Sequence, residues 1–201
     1  MTEIQVALVG FGHAGKAFHA PLIDVTDGLR LSSIVTSQTE AVLARYPDAT
    51  VVRSLDEVLG DRAIDLVVVA TPDELHCSQV IASLEAGKNA VVDKPFALDL
   101  EEARRMAEAA HASGKMLAVF HNRRWDADFL TLGELIGAGT LGTIMQFESH
   151  FDRFRAVPLD RWKDRRLGGV WQDLGPHLVD QALQLFGMPD FVLADIVAQK
   201  A

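Results

Sequence analysis

The sequence predicts an α/β fold, a doubly wound parallel sheet over residues 1–120, followed by an α+β region with a mainly antiparallel sheet over residues 121–201. Three observations favour this fold class. Short β-branched runs alternate with segments of helical periodicity through the first 120 residues, as in repeated βαβ units. Several of these runs are almost wholly aliphatic, which is typical of strands covered on both faces. After Phe120 the pattern changes, and residues 143–154 alternate like a strand with one solvent-facing side, which favours an antiparallel sheet.

The composition is that of a folded, acidic protein. The 201 residues carry a formal net charge of −9, and 49% of them are hydrophobic, so the chain can bury enough apolar surface to fold. An acidic chain with few aromatic residues is poorly suited to bind nucleic acid or anionic membranes. There is no long unbroken apolar stretch, no secretory signal at the N-terminus, and one cysteine, Cys77. We therefore expect a cytoplasmic protein without nucleic-acid or membrane partners.

The first half of the chain contains six predicted strands and the helices that connect them. The first strand ends at Gly10, and the segment after it places its apolar residues on one side of a helix. Ser54 and Glu57 have the spacing of a capping box, while Gly114 is placed to end the last helix of this half. The predicted strands are residues 4–9, 29–35, 51–52, 64–70, 89–92 and 116–120, and the predicted helices are residues 13–25, 54–60, 74–85 and 99–114.

The second half of the chain has a different pattern. Two helices are predicted, at residues 126–138 and 174–186, and two strands, at residues 143–154 and 191–198. So short a region is expected to be the N-terminal part of a truncated substrate and dimerisation domain. An incomplete antiparallel sheet leaves strand edges open, which predicts a homo-oligomer formed through this sheet.

A glycine-rich turn follows the first predicted strand and opens the first helix. Its G-x-G-x-x-G pattern, in this position, is typical of a dinucleotide-binding loop. The first glycine permits the tight turn, the second lets the backbone approach a pyrophosphate, and the third allows close packing of helix and strand. A glycine-rich turn that binds nothing is the alternative, which the strand-to-helix placement disfavours. The predicted cofactor contacts here are Gly10, Phe11, Gly12, His13, Ala14 and Gly15.

The end of the second predicted strand favours NADP(H) as the cofactor. NAD-binding folds usually carry an acidic residue about 20 residues after the glycines. This chain has Thr36, Ser37 and Gln38 there, and the first acid is Glu40. A carboxylate would repel the 2′-phosphate of NADP, whereas hydroxyl groups would not. No arginine occurs in this stretch to bind the 2′-phosphate, so NAD(H) remains an alternative cofactor. A polar turn that contacts no cofactor is the alternative explanation for these residues.

A lysine follows the fifth predicted strand, in the segment Asp93-Lys94-Pro95. The carboxyl ends of parallel strands face the ligand crevice of an open sheet. Pro95 restricts Lys94 to extended backbone, and a lysine fixed in this way can stabilise a developing alkoxide. A surface lysine before a turn fits the same spacing equally well.

Asp173 and His177 lie four residues apart at the predicted start of a helix, so they can share one face. A carboxylate beside an imidazole orients the ring and raises its basicity, which suits a general base. A helix cap at Asp173 or Gly175 with a packed His177 is the competing explanation, and spacing alone favours it. The seven histidines show no metal-ligand spacing, so no metal site is predicted.

Together these motifs resemble those of the Gfo/Idh/MocA family of NAD(P)-dependent oxidoreductases. In that family a Rossmann domain carries G-x-G-x-x-G and an E-K-P triplet, and a second domain carries D-x-G-x-H-x-x-D. Here Asp93 replaces the glutamate of the triplet, and the second motif is intact. The resemblance covers essentially the whole chain. The second motif consists of Asp173, Gly175, His177 and Asp180.

Four further segments are similar to the NADP-dependent scyllo-inositol dehydrogenase branch of that family: residues 18–22, 36–40, 121–126 and 173–189. The branch usually has Thr-Ser-Arg where this chain has Thr-Ser-Gln at residues 36–38. The resemblance implies Lys94, Asp173 and His177 as the catalytic set. It implies cofactor contacts at Thr71, Pro72, His76, Asp93 and Lys94, and substrate contacts at Asn122, Arg123 and Trp162.

The implied activity is hydride transfer between NADP(H), or NAD(H), and a secondary alcohol or ketone of a cyclic polyol or sugar, such as an inositol. His177 would remove the hydroxyl proton with help from Asp173, and Lys94 would stabilise the alkoxide. A second hypothesis follows from the short chain: a dinucleotide-binding module without turnover, because its second domain is incomplete. The intact catalytic set favours the enzyme.

Overall fold

The computed structural model describes residues 3–152 and 169–197. The chain divides into two compact units, Met1–Phe120 and His121–Ala201. In the first unit the strands are β1 (Ile4–Val9), β2 (Leu29–Val35), β3 (Thr50–Val52), β4 (Leu66–Val69), β5 (Asn89–Val92) and β6 (Leu117–Val119). Its helices are a π-helical turn (Gly15–His19) continuing into α1 (Ala20–Val25), then α2 (Thr39–Leu43), α3 (Leu55–Gly60), a 3-10 turn (Asp73–Leu75) before α4 (His76–Glu85), and α5 (Leu100–Ser113). In the second unit a 3-10 turn (Asn122–Trp125) precedes α6 (Ala127–Gly137) and α7 (Gly169–Phe186).

The six strands form one parallel sheet in the order β3-β2-β1-β4-β5-β6. The chain first builds the sheet outward from β1 through β2 to β3, and then crosses over to β4 on the other side of β1. Ligands of open α/β sheets bind outside the carboxyl ends of the strands at such a switch point. The predicted doubly wound sheet is therefore confirmed, and its crevice lies at the ends of β1 and β4.

Both faces of the sheet are covered, as the aliphatic strands predict. Neighbouring residues of β1 belong to different apolar clusters, because side chains alternate along a strand. Val6 and Leu8 pack in one cluster, and Ala7 and Val9 pack in the other. All four side chains are almost fully buried.

Local capping signals in the sequence correctly place two helices. The Ser54 hydroxyl accepts a hydrogen bond from the Glu57 N–H at the start of α3, and the Glu57 carboxylate accepts one from the Ser54 N–H at 2.9 Å. Asp99 caps α5 by accepting from the Glu102 N–H at 2.8 Å. Gly114 ends α5 in the left-handed conformation with φ +64°.

The structure adds one helix to those predicted and corrects the start of another. The helix α2 is not predicted by the sequence, because five residues are too few to show a periodicity. Helix α7 begins at Gly169, and not at Leu174 as predicted, so Asp173 lies inside the helix and does not cap it. Pro176 also lies inside α7, and such a proline is usually a sign of a helix start, which explains the error.

The two strands predicted for the second unit are not present in its described residues. Residues 143–152 and 191–197 are irregular and join no ladder. A strand with one apolar face needs a sheet to pack that face against. Here Met145, Phe191 and Leu193 are 88%, 85% and 93% exposed. None of the helices in the described ranges combines the length and the apolar character that a membrane span requires.

Candidate cofactor and active site

The three glycines of the turn after β1 are in different environments. Gly10 has φ +100°, and a Cβ there would lie 2.5 Å from the Ala70 carbonyl oxygen. A Cβ on Gly15 would lie 2.3 Å from the Gly10 carbonyl oxygen, so both positions require glycine for the fold itself. A Cβ on Gly12 would meet no atom within 4 Å. Open space above an exposed glycine at a helix start fits the close approach of a pyrophosphate.

Gln38 joins the end of β2 to the glycine turn. Its amide nitrogen donates to the Phe11 carbonyl oxygen at 3.0 Å, and its amide oxygen accepts from the Lys16 ammonium at 2.5 Å. The Lys16 ammonium also lies 5.3 Å from the centre of the Phe11 ring. The predicted cofactor contact Gln38 therefore has a lysine beside it, which belongs to the π-helical turn after the glycines.

An arginine that lies outside the Thr36–Gln38 stretch of the sequence also contacts the turn after β2. The Arg53 guanidinium donates to the Thr36 carbonyl oxygen at 3.3 Å and to the Thr39 hydroxyl at 3.0 Å. Arg53 follows β3, which pairs with β2 so that Val35 lies beside Val52. Parallel pairing of the two strands is the signal that could have found it, because residues that follow paired strands lie side by side.

The turn after β4 carries the predicted contacts Thr71, Pro72 and His76. The Thr71 hydroxyl donates to the Gln79 side-chain oxygen at 2.7 Å, and Pro72 is exposed. The His76 ring is 1% exposed, with Nδ1 2.9 Å from the Pro95 carbonyl oxygen and Nε2 3.0 Å from the Thr71 carbonyl oxygen. Both ring nitrogens of His76 therefore contact the backbone of this chain.

Asp93 and Lys94 follow β5, and the Lys94–Pro95 peptide bond is cis. One Asp93 carboxylate oxygen accepts from the Lys94 N–H at 2.7 Å, and the other lies 3.5 Å from Nε2 of the buried His19. The His19 ring packs 4.2 Å from the Phe120 ring. Burial raises the pKa of Asp93, but hydrogen bonding and charge from His19 and the neighbouring Lys94 together outweigh it, so the pKa lies below its ordinary value. Sequence reasoning missed His19 as the partner of this carboxylate.

In the second unit, Asp173 and His177 both lie on α7, four residues apart. Asp173 is half-buried and His177 is buried. The glycine of the motif has a packing reason, because a Cβ on Gly175 would lie 2.7 Å from the Trp171 ring. Because α7 is continuous through Asp173 and His177, the two residues share one face of the helix, as their spacing predicts.

Asp180, the last residue of the D-x-G-x-H-x-x-D motif, forms a bidentate ion pair. Its two oxygens accept from Nε and a terminal nitrogen of Arg124 at 2.8 and 2.5 Å, and this hydrogen bonding raises the pKa of Arg124. The next residue, Gln181, donates to the Arg123 carbonyl oxygen at 3.0 Å. Burial lowers the pKa of His121, although Asp180 lies 3.9 Å away and acts in the opposite direction. These contacts fix the 3-10 turn on α7, and sequence reasoning missed Arg124.

The predicted substrate contacts are on or near that turn. Asn122 is half-buried. The Arg123 guanidinium donates to Asp126 at 2.8 Å and lies 5.1 Å from the centre of the Phe151 ring. Trp162 lies outside the described residues. Within residues 3–152 and 169–197, no three His, Cys, Asp or Glu side chains are grouped to hold a metal ion.

The predicted residues therefore fall into two groups. The glycine turn, Gln38, Thr71, Asp93 and Lys94 come together at the carboxyl ends of β1, β2, β4 and β5 in the first unit. Asp173 and His177 come together on α7 in the second unit.

Two protein-family profiles match successive parts of the chain. The profile described as "Oxidoreductase family, NAD-binding Rossmann fold" matches residues 4–121, and the profile of the GFO/IDH/MocA C-terminal domain matches residues 129–201. The chain is 48% identical to the uncharacterized oxidoreductase YdgJ of Escherichia coli (strain K12), over 96% of this chain and 57% of that protein.

It is also 43% identical to the scyllo-inositol 2-dehydrogenase (NADP(+)) IolW of Bacillus subtilis (strain 168), over 98% of this chain and 56% of that protein. A solved structure of the oxidoreductase yvaA from Bacillus subtilis superposes with a TM-score of 0.93 at 42% identity, covering 100% of this chain and 57% of that one. The chain thus spans a little over half the length of the relatives it matches.

Proposed function

Because the chain belongs to the Gfo/Idh/MocA family of oxidoreductases and contains its NAD-binding Rossmann domain, we propose that it transfers hydride between NADP(H) and a secondary alcohol or ketone of a cyclic polyol or sugar. The observation that carries the proposal is the glycine turn at the switch point, with open space above Gly12 and Lys94 at the end of β5. The relative named as a scyllo-inositol dehydrogenase supports an inositol-like substrate.

The proposed chemistry uses three side chains of this chain. The nicotinamide, when bound, accepts or donates the hydride. His177 removes the proton of the substrate hydroxyl, and Asp173, one helical turn before it, orients the imidazole and stabilises its protonated form. The Lys94 ammonium stabilises the negative charge that develops on the substrate oxygen.

The preference for NADP(H) is supported by charge at the end of β2. The cations of Lys16 and Arg53 border the Thr36–Thr39 turn, and both touch its atoms. A 2′-phosphate carries a negative charge that guanidinium and ammonium groups bind well. We propose that these two side chains replace the arginine usual at the position of Gln38.

Turnover and binding assays on this chain test the proposal. We expect NADPH to bind more tightly than NADH, and scyllo- or myo-inositol to reduce NADP. Lys94→Ala and His177→Ala should each lower kcat by about 10² to 10⁴ and lower the affinity for NADPH much less. As controls, Lys115→Ala at a half-buried position and His111→Ala at an exposed one remove the same kinds of side chain away from the proposed site and should change neither value. Equal losses of kcat and NADPH affinity would contradict the catalytic roles.

A dinucleotide-binding module without turnover is the second candidate. The observation that favours it is that the whole parallel sheet and the glycine turn lie within residues 1–120. Tight NADPH binding with no turnover of any cyclic polyol or sugar would support the module and contradict the enzyme.

A further inference from the structure

The His76 imidazole spans two backbone segments near the proposed active site. Its Nδ1 lies 2.9 Å from the Pro95 carbonyl oxygen and its Nε2 lies 3.0 Å from the Thr71 carbonyl oxygen. Thr71 belongs to the turn after β4, and Pro95 directly follows Lys94 after β5. The ring is 1% exposed, so both contacts are shielded from water.

These contacts begin where the sheet ends. The pairing of β4 with β5 extends to Val69 beside Val92, and the Asp93 N–H donates the last ladder bond to the Val69 carbonyl oxygen at 2.9 Å. Beyond that bond the two chain segments are no longer joined as strands, and His76 contacts both of them. Chain segments that continue beyond paired strands unfold locally more readily when no side chain connects them.

The helix that carries His76 is itself firmly held. His76 is the first residue of α4, and this helix packs into the core through Cys77 and Val80. The same helix also binds the Thr71 turn a second time, because the Gln79 side-chain oxygen accepts from the Thr71 hydroxyl. The imidazole therefore connects the two turns to a rigid element.

The chemistry of the ring matches this geometry. Carbonyl oxygens only accept hydrogen bonds, whereas each protonated imidazole nitrogen donates one. A ring with one N–H satisfies one of the two carbonyls, and a doubly protonated ring satisfies both. A hydrophobic side chain of similar size would fill the space and leave both carbonyls without this donor, which is unfavourable.

We propose that His76 is a positioning residue that fastens the Thr71 turn to the Lys94-Pro95 segment and so fixes the Lys94 ammonium. It acts on the cofactor through these two turns, and not by contacting it with a ring nitrogen. The fastening itself is independent of the proposed function. Its effect on turnover through Lys94 rests on that function.

Amide hydrogen exchange measured by NMR on the full chain tests the fastening without any cofactor. We expect His76→Leu to accelerate exchange about tenfold at the Leu75, Asp93 and Lys94 amides, because each lies in or beside a segment that the ring holds. Amides in the middle of β1 should stay within about twofold. His76→Gln should recover part of the protection, since its amide can donate to one carbonyl.

Ser83→Ala is the matched control. It removes another buried hydrogen bond from α4, in which the Ser83 hydroxyl donates to the Gln79 backbone carbonyl oxygen at 2.7 Å, and it leaves the contacts of His76 in place. This variant should leave the three reporter amides unchanged. Equal acceleration at all amides in His76→Leu and His76→Gln, or no acceleration at the reporters, would overturn the proposal.

Kinetic and binding measurements test the link to Lys94. We expect His76→Leu to lower kcat at least about tenfold while the Kd for NADPH changes less than about twofold, with partial recovery in His76→Gln. A loss of NADPH affinity larger than the loss of kcat would overturn positioning in favour of direct cofactor contact. Absent turnover in the unsubstituted chain would instead contradict the proposed function and leave the exchange result standing.

Discussion

At the scale of single residues, Gly12 differs from the other two glycines of the turn because the fold does not require a glycine there. Its missing Cβ leaves open space, whereas the missing Cβ atoms of Gly10 and Gly15 let backbone segments touch. We expect Gly12→Ala to keep the melting temperature and to weaken NADPH binding at least about tenfold, because a methyl group would stand where the pyrophosphate approaches. Gly15→Ala should instead lower the melting temperature. Thermal unfolding and NADPH titration of both variants measure this, and unchanged affinity in Gly12→Ala would contradict the phosphate-binding role.

Arg53 and Lys16 give a second test at this scale. Charge-assisted hydrogen bonds contribute about 1.5 to 3 kcal/mol, so Arg53→Ala and Lys16→Ala should each weaken NADPH binding by about 10- to 100-fold. NADH lacks the 2′-phosphate, and its affinity should change little. Arg30→Ala, at an exposed position near the start of β2, is the control and should affect neither cofactor. Fluorescence titrations with both cofactors measure the ratio, and parallel losses for NADPH and NADH would contradict the assignment.

Asp93 predicts a pH dependence of stability. Its pKa is lowered in the folded chain relative to the ordinary value near 3.9, so the native state favours the carboxylate. The stability it contributes is present above about pH 4 and is lost as the pH falls through its lowered native value. Asp93→Asn should therefore be less stable than the unsubstituted chain at pH 7, with a difference that shrinks toward pH 3. Denaturant unfolding at pH 7, 5, 4 and 3 measures it, with exposed Asp56→Asn as the control, and a constant difference would contradict the sign.

At the scale of elements, the first turn of helix α3 holds the backbone of Arg53 through a hydrogen bond to Glu57. One Glu57 carboxylate oxygen accepts from the backbone N–H groups of both Arg53 and Ser54 at 2.9 Å. Ser54→Ala removes the capping hydroxyl and should lower the free energy of unfolding by about 1 kcal/mol. Ser78→Ala, within exposed helix surface, should change it by less than about 0.5 kcal/mol. Denaturant unfolding compares the two, and equal effects would contradict the capping contribution.

The elements that the sequence predicts correctly depend on local signals. The capping pair Ser54 and Glu57, the Asp99 cap and the glycine turn each act within a few residues, so one stretch of sequence contains the whole signal. Arg53 and Arg124 were missed because their partners come from other elements. The Arg124 partner, for example, is 56 residues further along the chain.

At the scale of the whole molecule, the parallel sheet is predictable because its central strands β1 and β4 carry aliphatic runs that are buried on both faces. The strands predicted at residues 143–154 and 191–198 have alternating patterns, and such a pattern indicates a strand only when a partner and a core are present. Their described residues lie outside any ladder. Hydrophobic alternation therefore shows that a segment could form a strand, but it does not show that the segment is paired with another strand.

Because of its segment at residues 191–197, we expect this chain to associate with other copies of itself. Five of its seven residues are large apolar side chains, each at least 65% exposed. Exposed apolar runs with unpaired backbone groups associate with other chains. We expect light scattering to show a mass that rises with concentration, and Leu193→Asp to reduce this rise. Val25→Asp, which removes an apolar side chain exposed on α1, should not, and a monomer at every concentration would contradict the expectation.

The strand order has a consequence for how such a protein can diverge. Lys16, Gln38 and Arg53 gather around β2 and β3 on one side of β1, whereas Thr71, His76 and Lys94 follow β4 and β5 on the other. Under the proposed function, we expect substitutions on the first side to change which nucleotide is preferred, and substitutions on the second side to change turnover. If so, such a protein could change its nucleotide preference in evolution without altering the chemistry of its reaction, because the two traits depend on residues that follow different strands.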